Sequence, residues 1–500
     1  MAKSIAANSF YNFVLKFFRI IVPVLVGAYV VETLDQQLYA EFQSASTWLD
    51  FALIFGVFGV TSYGIREGAR VRDNKEKAKK LFSSLFGLNL VTNSVVLIIY
   101  SCIVFFSMIS MRRALFLILG LKLFANIFLV EWLNEAMENY RFITIKTIVV
   151  RLIYMVMIFG LIHEPDDVIR YALIIVFTDL LNNLASFFYI KKQIPISFRD
   201  IEIKPHIAPL ISMLIISNVN ILYTQLDKML LDQTVGSLAV ATYKIPQDIT
   251  YMISNLLSSV VMVAVPRLAY YHGNGQDGDY HKLLNQSYHS FMLLVFPACV
   301  GFACLAPEVM HIYTNGTAYD AAIPVLILFS VRTIESSVYT ICANQIFFVY
   351  NQEKYLVRML LMCGILNAGM NVLLIVCGVF NPVTAIFTTL IAEIVLMAIL
   401  FWFVQKRLSI PFRFFTRTNI KYMLLSLTFL PITMGVRAIG LESRIASLRW
   451  GAALTSGIII VICMALYFGV LLLMKDETMR LLTDRALNMF FGRFRSRRDS

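Results

Sequence analysis

The sequence is poor in charged residues. Only 15% of its 500 residues are Asp, Glu, Lys or Arg, whereas soluble domains carry about a quarter. None of the connections between its apolar stretches is long enough to form a soluble domain. The sequence therefore predicts neither an ordinary soluble enzyme nor a nucleic-acid-binding protein, although its net charge is +12.

Short motifs of cofactor and metal chemistry are also missing. The chain has no phosphate-binding Gly-x-x-x-x-Gly-Lys-Ser/Thr loop, no His-Glu-x-x-His and no Cys-x-x-Cys. Asp277-Gly-Asp279 matches the metal motif of some glycosyltransferases, but its Gly- and Asn-rich surroundings predict a turn. The seven cysteines all fall in apolar stretches and are predicted to be packing residues. We expect no catalytic residues, no metal site and no bound cofactor.

Long apolar runs dominate what is present. The chain is 59% hydrophobic with a mean hydropathy of +0.73, and runs of eighteen or more residues suffice to cross a hydrocarbon core of about 30 Å as helices. The predicted fold is an all-α polytopic membrane protein with about fourteen spans. Their predicted limits are 8–31, 41–63, 81–108, 114–136, 143–162, 167–190, 207–232, 237–265, 285–312, 319–346, 355–378, 382–404, 420–440 and 450–474.

The basic residues predict the orientation. If residues at span ends are counted with the adjoining loop, 30 Lys and Arg lie on the side of the N-terminus and 6 on the other, with 7 inside spans. Because cytoplasmic loops are enriched in Lys and Arg, both termini are predicted to be cytoplasmic. The positive charge then reflects topology and attraction to anionic lipids, not a nucleic-acid partner.

A weak internal repeat predicts the domain organisation. LDQQLYA (34–40) and LAVATYK (238–244) share Leu and Tyr at the same offset, each between two long spans. The repeat predicts six-helix lobes over 1–204 and 205–417 around a central cavity. Residues 418–500 would add two helices and a basic cytoplasmic tail. Transporters commonly bind substrate between such repeats.

With span-end residues again counted in the loops, seven basic residues lie inside the predicted spans: Lys16, Arg19, Lys122, Arg151, Lys228, Lys244 and Arg332. A charge at the bilayer centre costs at least about 2.5–3.5 kcal/mol, so these side chains are expected to face protein, water or substrate. Lys244 with Asp248, and Arg332 with Glu335, have the spacing of structural ion pairs within one helix. Lys16 and Arg19 have no acid at helical spacing, and such a pair of cations suits phosphate oxygens.

Polar residues also follow helical spacing in several spans. Ser217, Asn220, Thr224 and the neighbours Asp227 and Lys228 step by three or four residues. Similar stripes occur in spans 1, 2, 6, 8 and 10 and predict a water-filled cavity lined by spans 1, 2, 7, 8 and 10. Because adjacent helix positions point about 100° apart, Asp227 and Lys228 are poorly placed to neutralise each other. They are predicted to lie at the outer rim of the cavity as a gate or latch.

Five segments resemble oligosaccharide flippases, the polysaccharide repeat-unit transporters, in order and spacing. They are YGIREGARVRDNKEKAKKLF (63–82), QLDKMLLDQTVGSLAVATYKIPQDI (225–249), VPRLAYY (265–271), GFACLAPEVMHIYTNGTAYDAAIPVLILFS (301–330) and ILNAGMNVLLI (365–375). The resemblance covers most of the chain. One departure is LDQQLYA, where that family usually has Gly near the turn between spans 1 and 2.

The resemblance implies membership of the superfamily of multidrug, lipid-oligosaccharide and polysaccharide exporters. It implies two six-helix lobes and a flippase of a bacterial cytoplasmic membrane that works by alternating access. The implied substrate is a polyprenyl-pyrophosphate-linked oligosaccharide, moved to the outer leaflet for exopolysaccharide synthesis. Membrane lipids, a polysaccharide polymerase and chain-length machinery are the other expected partners.

Candidate site residues follow from the charges inside the spans. Cations that would attract the pyrophosphate and glycan are Lys16, Arg19, Lys228, Lys244 and Arg332. Acids that would bind a coupling H⁺ or Na⁺, or form a gate, are Asp50, Asp179, Asp227, Asp248, Glu335 and Glu393. On this hypothesis Arg19→Ala or Arg332→Ala impairs glycan export without lowering protein abundance.

Two other functions remain open at this point. A cation-coupled multidrug exporter would share the fold, but its site would favour acids and aromatic residues over this many cations. A membrane-embedded polysaccharide polymerase or transferase would need a large outer loop with catalytic residues, and the predicted outer loops are short.

Overall fold

The structure is a computed structural model that describes residues 22–107, 110–197, 201–440, 445 and 447–480. Within these ranges the secondary structure is entirely helical. Lys16 and Arg19 lie outside the described residues, and so does most of the basic C-terminal tail.

The first half of the chain forms nine helices within the described ranges. They are α1 (Val22–Thr33), α2 (Gln36–Val57), α3 (Val60–Val71), α4 (Lys75–Ser107), α5 (Ser110–Asn126), α6 (Glu131–Ala136), α7 (Tyr140–Leu161), α8 (Val168–Gln193) and α9 (Lys204–Thr234).

Ten more α-helices follow in the second half of the described chain. They are α10 (Ser237–Met262), α11 (Val265–Gly273), α12 (Asp277–Cys304), α13 (Ala306–Thr314), α14 (Ile323–Ile341), α15 (Glu353–Val376), α16 (Pro382–Lys406), α17 (Arg417–Leu427), α18 (Phe429–Ala438) and α19 (Leu448–Leu473). A short 3₁₀ turn, Asp320–Ala322, precedes α14, and a π-helical segment, Cys342–Phe347, continues it.

Eleven segments of the described chain are long and apolar enough to cross a membrane. They confirm the predicted all-α, multi-pass membrane class. The predicted spans 1, 7 and 8 are not among the eleven. Helix α1 is described over only Val22–Thr33, and the side chains of residues 212 and 215–224 in α9 lie outside the described part of the chain. Helix α10 carries several polar residues along its 26 residues. At about 1.5 Å per residue both α9 and α10 are long enough to cross about 30 Å. The number fourteen stays a prediction.

A sharp break separates α2 from α3. Phe58 has φ 49° and Gly59 has φ 73°, both in the left-handed region that favours glycine. A Cβ on Gly59 would lie 2.8 Å from the backbone nitrogen of Leu214 in α9. The break therefore needs a residue without a side chain, and it turns one predicted span into two packed helices.

Helix α3 packs closely on α6 at a second glycine. An added Cβ on Gly64 would lie 2.5 Å from the indole of Trp132, which is almost fully buried. Phe82, Leu85 and Leu133 are completely buried in the same core. This close packing fixes α6, whose first residue Glu131 lines the cavity described below.

Two loops predicted from the sequence are largely helical. The basic segment 66–80 was expected to be the longest inner loop, but α3 runs to Val71 and α4 starts at Lys75. Asn74 caps α4 by accepting a hydrogen bond from the backbone N–H of Lys77 at 3.0 Å. The predicted turn at Asp277 and Asp279 is the first turn of α12, where acids interact favourably with the helix dipole.

The contacts between residues group the chain into two compact units. Unit 1 comprises residues up to Lys244 together with Asn371–Asn381; unit 2 comprises Ile245–Met370 and the chain from Pro382 onward. In unit 1, α5 packs against α4 and α8, and α2 packs against α4, α5 and α9. In unit 2, α12 packs against α14 and α17, and α14 packs against α16. The predicted lobes 1–204 and 205–417 rest on a sequence repeat and stay a prediction.

Candidate functional site

Unit 1 holds a cluster of charged side chains from four helices. Lys122 of α5 forms an ion pair with Asp179 of α8 at 2.9 Å. Lys244 of α10 lies 3.7 Å from Asp50 of α2, and Asp50 also acts electrostatically on Lys122. The two predicted acids and the predicted cation Lys244 are thus brought together with Lys122, which the sequence analysis had left outside the site.

A polar cavity of about 350 Å³ lies against this cluster, between α5, α6, α7 and α8. Its polar lining residues are Lys122, Glu131, Thr147, Arg151, Tyr154, Thr178, Asp179 and Asn182. The Asp179 side chain is 46% exposed, so its carboxylate has access to solvent. An open, polar cavity within apolar helices is the kind of site in which a membrane protein holds a hydrophilic group.

Glu131, the second acid that lines this cavity, is also paired. Glu131 forms an ion pair with Lys146 of α7, and the ammonium group of Lys146 also donates to the Ser186 hydroxyl at 2.7 Å. Lys146 was counted with an inner loop in the sequence analysis, but the structure buries it within unit 1. Its pair is therefore part of the packing between α6, α7 and α8.

Asp227 occupies a different, fully buried environment in unit 1. Its carboxylate accepts hydrogen bonds from the Tyr243 hydroxyl at 3.1 Å and from the Asn371 amide at 2.6 Å. Lys228 is also buried. Both partners of Asp227 come from other helices, so this acid is anchored between α9, α10 and α15. The side chains of the predicted stripe Ser217, Asn220 and Thr224 lie outside the described residues.

A polar network close to the end of α9 was not anticipated. Arg112 of α5 lies 2.5 Å from Asp232 and 3.0 Å from Glu41. The Trp48 indole donates to Asp232 at 2.8 Å, and Ser44 lies 2.7 Å from the guanidinium. The network ties α9 to α2 and α5. The predicted role of Asp227 and Lys228 as a gate or latch stays a prediction.

The charges of unit 2 are arranged differently. The Nε of Arg332 in α14 donates to both carboxylate oxygens of Glu393 in α16, at 3.0 and 2.9 Å. Glu335 lies beside Glu393, and its buried Oε1 has no hydrogen-bond partner. The sequence spacing had suggested Arg332 with Glu335, whereas the bidentate partner comes from a residue 61 positions away. Asp248, the other predicted acid of this unit, is partly buried in α10.

Comparison with known proteins adds the family. A model of the family described as polysaccharide biosynthesis protein matches residues 5–272, more than half of the chain. The chain belongs to this polysaccharide biosynthesis family. A search among curated proteins finds no match.

The fold of this family member is similar to several solved transporters. A structure of the lipid II flippase MurJ in an inward closed conformation matches with a TM-score of 0.69 at 14% identity, covering 93% of this chain and 99% of that chain. An inward-facing MATE multidrug resistance transporter of the MOP superfamily gives 0.57 at 12% identity, covering 79% and 100%. A MATE structure in a straight conformation gives 0.54 at 13% identity, covering 81% and 96%.

These comparisons confirm the predicted resemblance and the fold class. At such low identities the solved structures establish the fold alone, and the family model establishes the link to polysaccharide biosynthesis. The roles of the individual charged residues remain predictions, because neither comparison assigns a site to this chain.

Proposed function

We propose that this protein is a flippase that moves polyprenyl-pyrophosphate-linked oligosaccharide repeat units from the cytoplasmic to the outer leaflet by alternating access, for cell-surface polysaccharide synthesis. The observation that carries the proposal is the polar cavity of unit 1, whose lining includes Lys122 and Arg151 within otherwise apolar helices. Cations in such a site favour an anionic, hydrophilic head group. The lipid chain would stay in the bilayer while the head group crosses.

Family membership supports this substrate class, and the transporter fold supports movement across a membrane. The proposed location is a bacterial cytoplasmic membrane with both termini in the cytoplasm, where the excess of Lys and Arg is expected. A polysaccharide polymerase and chain-length machinery are the proposed partners. We do not propose an enzymatic activity.

Coupling to H⁺ or Na⁺ is part of the same proposal. Candidate acids are Asp50 and Asp179 in the cluster of unit 1, Asp227 with its two hydrogen-bond donors, and Asp248, Glu335 and Glu393. Among them Glu335 has a buried oxygen without a donor, which suits a carboxyl group that takes up a proton. Dissipating the proton gradient or the sodium gradient separately, while measuring export, tests which ion drives transport.

The test of the function is the leaflet in which the lipid-linked glycan resides. In cells that lack this protein and any redundant flippase, the glycan is expected to accumulate facing the cytoplasm, inaccessible to a membrane-impermeant probe. Normal delivery to the outer leaflet in those cells would contradict the proposal. Loss of drug resistance without any change in glycan delivery would favour a multidrug exporter of the same fold.

A further inference from the structure

Among the described residues, Arg151 is the charged residue of the unit 1 cavity without a hydrogen-bond or ion-pair partner. Lys122 is paired with Asp179, and Glu131 with Lys146. The Arg151 guanidinium makes neither a hydrogen bond nor an ion pair within the part of the chain that the structure describes. The three cations and two acids in and beside the cavity therefore leave one excess positive charge, located at Arg151.

An unpaired guanidinium inside membrane-spanning helices is costly unless something negative or aqueous meets it. Arg151 is only partly buried and lies on the wall of the cavity. Its five N–H donors form a planar fork that matches the two oxygens of a carboxylate or phosphate. The N–H groups of Arg151 in the cavity wall can therefore donate hydrogen bonds to one oxyanion.

The neighbouring side chains suit the same ligand. Thr147, Arg151 and Tyr154 follow at intervals of four and three residues and therefore share one face of α7. Asn182 lines the cavity from α8. Two hydroxyl groups and an amide around a guanidinium can serve the hydroxyl groups of a sugar, or the outer oxygens of a phosphate.

The size of the cavity limits the ligand. About 350 Å³ lies at the small end of the roughly 300–1,000 Å³ of ligand pockets. This volume suits a single sugar residue or a pyrophosphate and is too small for an oligosaccharide. The site would therefore hold one acidic group of a larger substrate.

We propose that Arg151, supported by Tyr154, Thr147 and Asn182, binds one oxyanion-bearing group in the unit 1 cavity, either the carboxylate of an acidic sugar or a phosphate. Its use in transport rests on the proposed function, whereas the binding itself does not. The two sources differ in what they predict: a carboxylate would make the protein selective for acidic repeat units, and a phosphate would make Arg151 necessary for every repeat unit.

Binding to the purified full-length protein in lipid nanodiscs tests the proposal directly. Isothermal titration calorimetry with glucuronate, inorganic pyrophosphate and neutral glucose is expected to show binding of one of the two anions and no binding of glucose. Arg151→Gln is expected to weaken that binding about tenfold or more, because a charge-assisted bidentate pair is lost. Arg151→Lys, which keeps the charge without the fork, is expected to fall in between.

Arg141→Gln is the matched control, since Arg141 is an exposed arginine of the same helix outside the cavity. It should bind the anion as the wild type does. Because Arg151 makes no ion pair with any described residue, its replacement leaves none of them unpaired, and Arg151→Gln should melt no lower than the wild type. Wild-type protein that binds neither anion at millimolar concentration, or equal binding by wild type and Arg151→Gln, would overturn the proposal. Either result would leave the leaflet test of flippase function unaffected.

Discussion

The charged cluster at the unit 1 cavity and the Arg332–Glu393 pair of unit 2 have opposite characters. In unit 2, Arg332 and Glu393 form a buried bidentate pair, with 10% and 6% of their side chains exposed. In unit 1, Asp179 is 46% exposed, Lys244 and Asp50 are 3.7 Å apart, and Arg151 has no partner among the described residues. A closed pair holds helices together, whereas an open and unbalanced cluster is available to a ligand. We therefore expect Arg332 to have a structural role and the charged cluster of unit 1 to be accessible to a ligand.

The largest expected effect comes from breaking the pair of unit 2. Arg332→Ala would leave Glu393 and Glu335 buried side by side without a cation. Removing one partner of a buried pair costs about 3–5 kcal/mol, so the abundance and melting temperature of the protein should fall. This prediction is the opposite of the sequence-based one, in which the substitution spares abundance. Unchanged abundance with impaired export would return Arg332 to the substrate site.

A smaller loss of stability is expected from the tight packing of α3 on α6. Gly64→Ala would place a methyl group 2.5 Å from the Trp132 indole, and overpacking of this kind costs about 1–3 kcal/mol. Gly160→Ala in α7 is the control, because its Cβ would meet nothing within 4 Å. Melting temperatures in the same detergent compare the two. Equal melting temperatures for the two variants would mean that the contact between α3 and α6 accommodates an added methyl group, which would contradict the tight packing.

Lys122→Ala in unit 1, which corresponds to Arg332→Ala in unit 2, should lower the stability of the protein still less. Lys122→Ala removes the partner of Asp179, but that carboxylate is exposed enough to be hydrated. Pairs of this accessibility contribute about 0–1 kcal/mol, so abundance should be maintained while oligosaccharide export changes. A quantitative immunoblot alongside an export measurement separates the two effects. If Lys122→Ala lowered the abundance of the protein as much as Arg332→Ala, the Lys122–Asp179 pair would be as important for stability as the Arg332–Glu393 pair, which would contradict the comparison.

The smallest expected effect is on the pH dependence of stability, through one aspartate outside the membrane helices in each unit, Asp167 and Asp476. Burial opposes the charge of Asp167, but the backbone N–H groups of Glu164 and His163 and the Arg170 guanidinium outweigh it and lower the pKa. The pKa of Asp476 is also lowered: burial opposes its charge, but the hydrogen bonds from Lys421, from the backbone N–H of Met479 and from the Tyr422 hydroxyl together outweigh it. Because both folded-state values lie below about 3.9, their contribution is full above that pH and lost as pH falls further.

Asp167→Asn and Asp476→Asn should each reduce the difference in melting temperature between neutral pH and acidic pH below about 3.9, because the variants have no carboxylate to protonate at that position. An Asp73→Asn variant provides the comparison, since that side chain is almost fully exposed. A pH dependence identical to the wild type in both variants would contradict this assignment.

Sequence reasoning located the membrane helices well, because long apolar runs determine them locally. It also selected Asp50, Asp179, Lys244, Arg332 and Glu393 as charges worth attention. Their partners were missed because helical spacing detects only pairs within one helix, whereas the observed pairs join different helices. The stripe of Thr147, Arg151 and Tyr154 was visible in the sequence and overlooked.

Other features depend on close approaches that no periodicity reveals. The break at Phe58 and Gly59 is required by the backbone of α9, and the contact of Gly64 with Trp132 joins two helices distant in sequence. The excess charge at Arg151 depends on the ion pairs of Lys122 with Asp179 and of Lys146 with Glu131, which join different helices and leave no trace in the spacing of the sequence. The composition of a span indicates that it holds charges, and the tertiary fold decides which of them remain available.

The most direct test of the central claim uses the purified protein in liposomes with a synthetic polyprenyl-pyrophosphate-linked oligosaccharide that contains an acidic sugar. The quantity measured is the fraction of glycan that becomes accessible to a membrane-impermeant oxidant over time. We expect transfer that requires the protein and that is markedly slower with Arg151→Gln but normal with Arg141→Gln. Transfer no faster than in protein-free liposomes would contradict the flippase function, and equal transfer by both variants would contradict the role of the unit 1 cavity.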